Sequence, residues 1–361
     1  MLFPLRRSSI IADRKGSILA VALWSLCLLT TFAVYLGSSV REKVWMVGRL
    51  DSRDRLRFVA SAGVKRAILE LRRKDESTVD TLRESWSNNR GAFQGKEVGE
   101  GIYSVSHVPS YMDSSFEQIR YGVVDEERKV NINTCKREVL ENLLKSTAGM
   151  DQLDAESLSA AIVDWRDKDN VLSVALGSAE DQYYRALRNS YEAKDSDFEV
   201  PNEIFLVKGM TKDIFAKIKD YITIYSNGKI NINTASPKVL LALGLFRSVV
   251  DKILLFRCGD DSIEATADDY VFVSTKSIVS QLSKYVSLSE SEVANLSNLV
   301  SAGYLETKSE NFTITSTGRL KNRDASMKII CVFQRPSFQA DPITGSLDTK
   351  GKIKYWQEKA D

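Results

Sequence analysis

The hydrophobic and polar positions of this chain change their spacing several times, and each change marks a different kind of element. Residues 17–40 carry no charged side chain, and about 20 helical residues at 1.5 Å each are enough to cross a hydrocarbon layer of roughly 30 Å. Beyond that run Leu56, Val59, Ala60, Gly63, Val64, Ala67, Ile68 and Leu71 recur at the three-and-four spacing of an amphipathic helix. No proline interrupts residues 17–71, so the two stretches are expected to form one unbroken N-terminal helix. Residues 74–96 are polar and read as a connection or short helix, after which 101–108 and 119–124 are strand-like. Near the other end, 311–315 alternate apolar and polar and 327–333 form a β-branched run. The turn-rich residues 317–325 between them predict a hairpin. Between these flanks the spacing is helical, at 136–145, 156–167, 213–224, 237–245 and 289–300. A helical block thus interrupts a strand-bearing one. The final 351–361, with Ile353, Tyr355 and Trp356, read as an edge strand or a loose tail.

Charge turns the apolar run into an anchor. Arg6, Arg7, Arg14 and Lys15 precede it, and Arg41, Glu42 and Lys43 follow. The positive-inside rule keeps the basic leader cytoplasmic and places the rest of the chain outside. A buried core helix or a cleaved secretory signal ending near 36–39 fits less well, because a signal's apolar region is usually about 7–15 residues. Over all 361 residues, 50 Lys and Arg nearly balance 48 Asp and Glu, which gives no support to a nucleic-acid partner. His107 is the only histidine and no phosphate-binding glycine loop is present. Triad hydrolysis would depend on that one residue, so the chain is not expected to be an enzyme.

An internal echo stands out: Lys129-Val130-Asn131-Ile132-Asn133-Thr134 returns as Lys229-Ile230-Asn231-Ile232-Asn233-Thr234. The threonines shortly before helical runs suit N-caps, which makes the echo a repeated helix-start device. The alternative is a single-pass membrane DNA-binding protein with helix-hairpin-helix-like motifs. The hairpin positions, 145–150 and 244–246, lack the paired glycines that such a phosphate grip uses, and Asp151, Asp154 and Glu156 sit nearby.

Asp164, Asp167 and Asp169 cluster at the end of a helical run, and Glu180 and Asp181 follow a loop. Hard oxygen ligands on a flexible loop suit Ca²⁺, the alternative being a solvated acidic loop, and the spacing is not that of an EF-hand. No Cys/His spacing points to zinc. Cys27 lies in the anchor. Cys135, Cys258 and Cys331 permit at most one internal disulfide, and unpaired burial is the simpler expectation.

Arg14-Lys15-Gly16 followed by Ser17-Ile18-Leu19-Ala20-Val21 resembles the N-terminus of type IV pilins and type II secretion pseudopilins. In that family a prepilin peptidase cuts after the glycine, which implies Ser17 as the mature N-terminus. Most members carry glutamate where Val21 stands, whereas the minor pseudopilin K lacks it. The blocks AIVDWRDKD (161–169), GSAEDQYY (177–184), NEIFLVKGM (202–210) and KININTASPKVL (229–240) resemble protein K in order and spacing.

The resemblance implies an α+β fold: a long N-terminal transmembrane and amphipathic helix, and a pilin-like α/β domain with a large inserted all-α domain. The segments implied are a leader at 1–16, a membrane span at 17–40 and an amphipathic helix at 41–72. The pilin-like domain then takes 73–128 and 301–361, and the insert 129–300. It also implies a subunit of the bacterial inner membrane, single-pass, with its bulk periplasmic. That subunit sits at the tip of the type II secretion pseudopilus and initiates assembly with minor pseudopilins I and J and the other pseudopilins. The positions expected to pack in the filament are Val21, Leu23, Leu26, Leu56 and Val59. Finally, it implies structural calcium held by Asp167, Asp169 and Glu180, with Asp164, Asp181, Asp195 and Asp197 as further candidates.

Overall fold

A computed structural model describes residues 14–73, 79–109, 119–175, 177–321, 324–336 and 351–360, with side chains from Ile18 onward. Residues 1–13 of the expected leader lie outside the described residues. The chain divides into two units, Met1–Arg55 and Leu56–Asp361.

The first unit is the N-terminal part of α1, which spans Arg14–Arg72. Gly16 and Ser17 lie in its first turns. Val21, Leu23, Trp24, Leu26, Leu29 and Phe32 are all exposed. This is the one helix among the described residues that is long and apolar enough to cross a membrane. The Thr30 and Thr31 hydroxyls donate back to the carbonyls of Leu26, Cys27 and Leu28, which hides their polarity inside the helix.

In the second unit, α1 from Leu56 onward packs its stripe of Leu56, Val59, Ala60, Val64, Ala67 and Leu71 into a core. Leu56 and Val59 are only 4% and 3% exposed. Their expected place in a filament contact is therefore corrected: both are spent inside this chain, because the sheet needs the same apolar face. The sheet is antiparallel in the order β1–β2–β8–β9–β10, with β3 added to β8. Its strands are β1 (Lys96–Val98), β2 (Gly101–Val105), β3 (Val124–Asp125), β8 (Asn311–Leu320), β9 (Ser326–Gln334) and β10 (Lys352–Ala360). A short helix, α2 (Arg90–Phe93), precedes β1. Phe312 and Ile314 of β8 and Met327, Ile329, Cys331 and Phe333 of β9 face α1. Close approach depends on Gly318, where a Cβ would come within 2.6 Å of the Ala60 nitrogen. Ser316 Oγ also donates to the Ala60 carbonyl at 2.8 Å.

The second core belongs to the block between β3 and β8. Its elements are β4 (Val130–Asn131), α3 (Arg137–Ala148), α4 (Gln152–Arg166), α5 (Asp181–Arg185), α6 (Lys212–Ile218) and β5 (Ile222–Thr223). Then follow β6 (Ile230–Asn231), α7 (Pro237–Ala242), α8 (Arg247–Arg257), α9 (Ile278–Tyr285), α10 (Glu290–Ser301) and β7 (Leu305–Glu306). Two-stranded parallel pairs close each half: Val130 opposite Ile222, and Ile230 opposite Leu305.

The echo is therefore a folding unit built twice. In each copy the first asparagine closes its own turn: Asn131 Oδ1 accepts from Asn133 N at 2.8 Å, and Asn231 Oδ1 from Asn233 N at 3.0 Å. The second asparagine grips a distant phenylalanine through both backbone groups. Asn133 binds Phe198 at 3.0 and 2.8 Å, and Asn233 binds Phe272 at 3.0 and 2.9 Å. An arginine from the end of the second helix after each turn, α4 or α8, fills the turn. Arg166 donates to the carbonyls of Ile132 and Cys135, and Arg257 to those of Ile232 and Ala235. Neither threonine caps a helix. The α3 cap position is Lys136, without a side-chain bond, and Ser236 caps α7.

Other expectations shift at their edges. The helix expected at 213–224 stops at Ile218, because Ile222 and Thr223 pair with β4. The strand expected at 119–124 shrinks to β3 plus one bridge between Arg120 and His107. The turn expected from 317 begins later, since β8 runs to Leu320. The C-terminal stretch is an edge strand, β10.

Candidate metal centre

The acidic residues singled out in the sequence surround the C-terminal end of α4. That helix ends at Arg166 because Asp167 turns to extended backbone while its N–H still donates to the Val163 carbonyl. Asp164, one turn earlier on the buried face, is fully enclosed. Asp167 and Asp169 follow in the loop, and Glu180 occupies the cap position of α5. Asp195 enters from the other end of the loop in left-handed backbone, φ 53°, with its N–H on the Trp165 carbonyl at 3.1 Å. Trp165 and Tyr184 make an edge contact at 5.1 Å, and Tyr184 stacks on Tyr191 at 5.2 Å, which stiffens the floor of the loop.

Asp167, Asp169 and Glu180 each place a carboxylate oxygen within 4.8 Å of the others. Five oxygens here are buried without a hydrogen-bond donor: Asp164 Oδ2, Asp167 Oδ1, both Glu180 Oε atoms and Asp195 Oδ1. Burial, then the charges of Asp164, Asp167, Asp195 and Asp169, push the Glu180 carboxyl up to about 7. Burial, Asp169 and Asp164 push Asp167 up to about 6. Desolvated carboxylates facing one another are costly unless a cation joins them. The nearby Arg166 guanidinium is committed to the turn at Ile132 and Cys135.

The donor set is all oxygen, which fits a hard divalent cation and not zinc. Two of the acids are already aimed: Asp164 Oδ1 accepts from Ser173 N at 3.0 Å, and Asp169 Oδ1 from Val171 N at 2.9 Å.

Asp181 is corrected out of this group. Its Oδ1 accepts from Ala193 N at 2.9 Å and its Oδ2 pairs with Arg185 at 2.8 Å, so it braces the loop. Asp197 is exposed. Asp195, named only as a further candidate, joins the cluster. Its signal was weak, since an aspartate with φ above zero looks like any other loop residue in sequence.

The remaining chemistry-bearing residues are quiet. His107 is held neutral, its pKa pushed down to about 3 by burial and by Arg128 and Arg120. Cys27, Cys135, Cys258 and Cys331 are free thiols, and burial raises Cys135 to about 11 and Cys331 to about 12.

Residues 122–227, which hold the first folding unit and the acidic cluster, match the family model for type II secretion system protein K. The type II secretion system protein K of Aeromonas hydrophila is 27% identical over 188 residues, covering 49% of this chain and 54% of that protein. The chain thus aligns with about half the length of that relative. A chain in the crystal structure of the GspK-GspI-GspJ complex from enterotoxigenic Escherichia coli superposes with a TM-score of 0.60 at 15% identity. The match covers 87% of this chain and 99% of that one, and shows a shared fold. The first folding unit is thus similar to type II secretion system protein K in sequence, and the chain shares a mixed helix-and-sheet fold with a chain of the GspK-GspI-GspJ complex.

Proposed function

We propose that this chain is the minor pseudopilin at the tip of a type II secretion pseudopilus, where it initiates filament assembly for export of folded proteins across the outer membrane. The observation that carries the reading is α1: an apolar, fully exposed N-terminal stretch that continues as the helix buried in the sheet core. Exposed Val21, Leu23 and Leu26 then serve lipid and neighbouring helices. Minor pseudopilins I and J are the implied partners, in keeping with the complex whose structure shares this fold. A prepilin peptidase cuts after Gly16, and the bulk of the chain lies in the periplasm. Asp164, Asp167, Asp169, Glu180 and Asp195 hold Ca²⁺, which supplies the positive charge their unpaired oxygens lack.

N-terminal sequencing of the mature protein tests the assignment. A start at Ser17 is the expected result. A start at Met1, or near Ser38 as for a cleaved secretory signal, overturns it.

A further inference from the structure

Where the chain leaves the sheet for the helical block, Asp125 and Glu127 lie between the two cores, 1% and 0% exposed. Asp125 is well supplied with donors. Its Oδ1 accepts from Glu127 N at 2.8 Å, and its Oδ2 from Thr234 Oγ1 at 2.5 Å, Ser309 Oγ at 2.7 Å and Asn231 Nδ2 at 3.4 Å. Glu127 has two donors, both from Asn311: Nδ2 at 2.7 Å and the backbone N at 3.1 Å. Its carbonyl accepts from Asn231 N at 2.8 Å. These few bonds tie β3, the start of β8 and the turn of the second repeat to one another.

No cation pairs with either carboxyl among the described residues. Asp80 is taken by Arg335 at 2.9 Å and accepts from Ser309 N at 2.8 Å. Glu126 is taken by Lys129 at 2.5 Å and by the hydroxyls of Thr223 and Thr313. Lys354 of β10 feels Glu127 and Glu310 only at longer range and donates to the Tyr225 carbonyl. Arg128 acts on His107 from the same segment. The Glu127 N–H lies on Asp125 Oδ1 at 2.8 Å, Asn231 touches both residues, and the two buried carboxyls share this one small site. Two unpaired charges in one dry site are untenable, so one must be neutralised by a proton.

We propose that Glu127 is a protonated carboxylic acid in the folded protein and donates its proton to Asp125, making the junction between sheet and helical repeats a pH-sensitive tie. The proton belongs on Glu127 because Asp125 already accepts four hydrogen bonds and Glu127 accepts two. Burial, and then the Asp125 charge, hold Glu127 well above the ordinary carboxylate range, and burial raises Asp125 as well. Loss of the proton to solvent leaves two carboxylates face to face. The sign follows: the folded chain binds a proton that the unfolded chain has released. The tie is complete below the ordinary glutamate range and weakens as pH rises through the raised value.

Hydrogen exchange on the full-length protein in detergent, with saturating CaCl₂ so that the acidic cluster stays occupied, tests this. As pH rises, the junction amides of Glu127, Asn231 and Asn311 should gain about tenfold per pH unit over the rise common to all amides, the signature of one bound proton. Glu127→Gln, which keeps the shape and cannot titrate, should remove that extra slope. An equal slope in the variant, or none in the wild type, overturns the proposal. Should Glu127→Gln fail to fold, the wild type decides alone: its infrared spectrum near about pH 6 must contain the carbonyl band of a buried carboxylic acid, and absence of that band overturns the proposal.

Discussion

Chelation of divalent cations should invert the way the acidic cluster contributes to stability, and pH is the sharper probe of it. Without a cation, Glu180 is raised from 4.5 to about 7 and Asp167 from 3.8 to about 6. Both folded-state values lie above the unfolded ones. The cation-free fold therefore binds extra protons, and its stability falls as pH rises from about 4 to about 7. At about 1.4 kcal/mol per pH unit, the two shifts taken independently set a ceiling of about 6 kcal/mol. They are not independent, because the Glu180 shift includes the Asp167 charge and both include Asp164 and Asp169, and water reaches the exposed Asp169 side and screens the repulsion. Counting the repulsion once and discounting it leaves about 2 kcal/mol. For a unit of this size that is a fall in Tm of about 4–8 °C between about pH 4 and about pH 8.

Calcium should cancel the fall. Ligation demands the deprotonated acids, so binding strengthens as pH rises, and saturation a hundredfold above Kd adds about 2.7 kcal/mol. The assay is a set of thermal melts at the two pH values, in EDTA and in CaCl₂, with Asp167→Asn as control. The variant should melt higher than wild type in EDTA at the upper pH and gain less from calcium. The reasoning is refuted if EDTA melts are flat with pH, or if calcium leaves Tm unchanged at about pH 8.

Two further perturbations test the packing. Gly318→Val places a branched side chain where the first added carbon already meets Ala60 N at 2.6 Å; chemical denaturation should show a loss of about 2–3 kcal/mol or more, since a backbone atom cannot yield as a side chain can. Asn233→Ala leaves the Phe272 N–H and carbonyl unpaired in a buried site and should cost about 3 kcal/mol. Asn133→Ala at the half-buried equivalent should cost about half as much, both read by urea denaturation.

Much of this fold could be read in the chain because its strongest signals are periodic. The uncharged run before Arg41 and the stripe from Leu56 to Leu71 both lie in α1. Short elements escaped for a physical reason: β4 to β7 are two residues long each, and a pair of residues has no period. Their existence is a property of partners far along the chain, Ile222 for Val130 and Leu305 for Ile230. The echo itself is visible, but the helix-capping role that the threonines suggest is not the one they play. Thr134 is exposed, and Thr234 donates to Asp125. The asparagines carry the turn, and nothing local shows that their amides will be completed by Phe198 and Phe272. The reach differs between copies, with 65 residues from Asn133 to Phe198 against 39 from Asn233 to Phe272, which breaks any fixed repeat length.

That difference in length falls on the loop that matters. Both copies send an acidic loop from the end of the second helix back to the gripped phenylalanine, and each must hold its carboxylates in place. In the second copy the backbone does this. Asp268 accepts from the N–H groups of Asp260 and Asp261, Asp269 from those of Ala265 and Thr266, and Glu264 pairs with Arg257. Donors hold the Asp268 carboxyl well below its ordinary range. In the first copy the same arginine position is spent on the turn alone, and the longer loop leaves five carboxylate oxygens without a donor. One copy of the unit therefore closes its loop with its own N–H groups. The other has the chain length to gather five acids and lacks the donors to settle them, which is the situation the proposed Ca²⁺ would relieve. The same substitution should then read differently in the two loops: neutralising Asp268 weakens the fold with or without calcium, whereas neutralising Asp167 weakens it only when calcium is present.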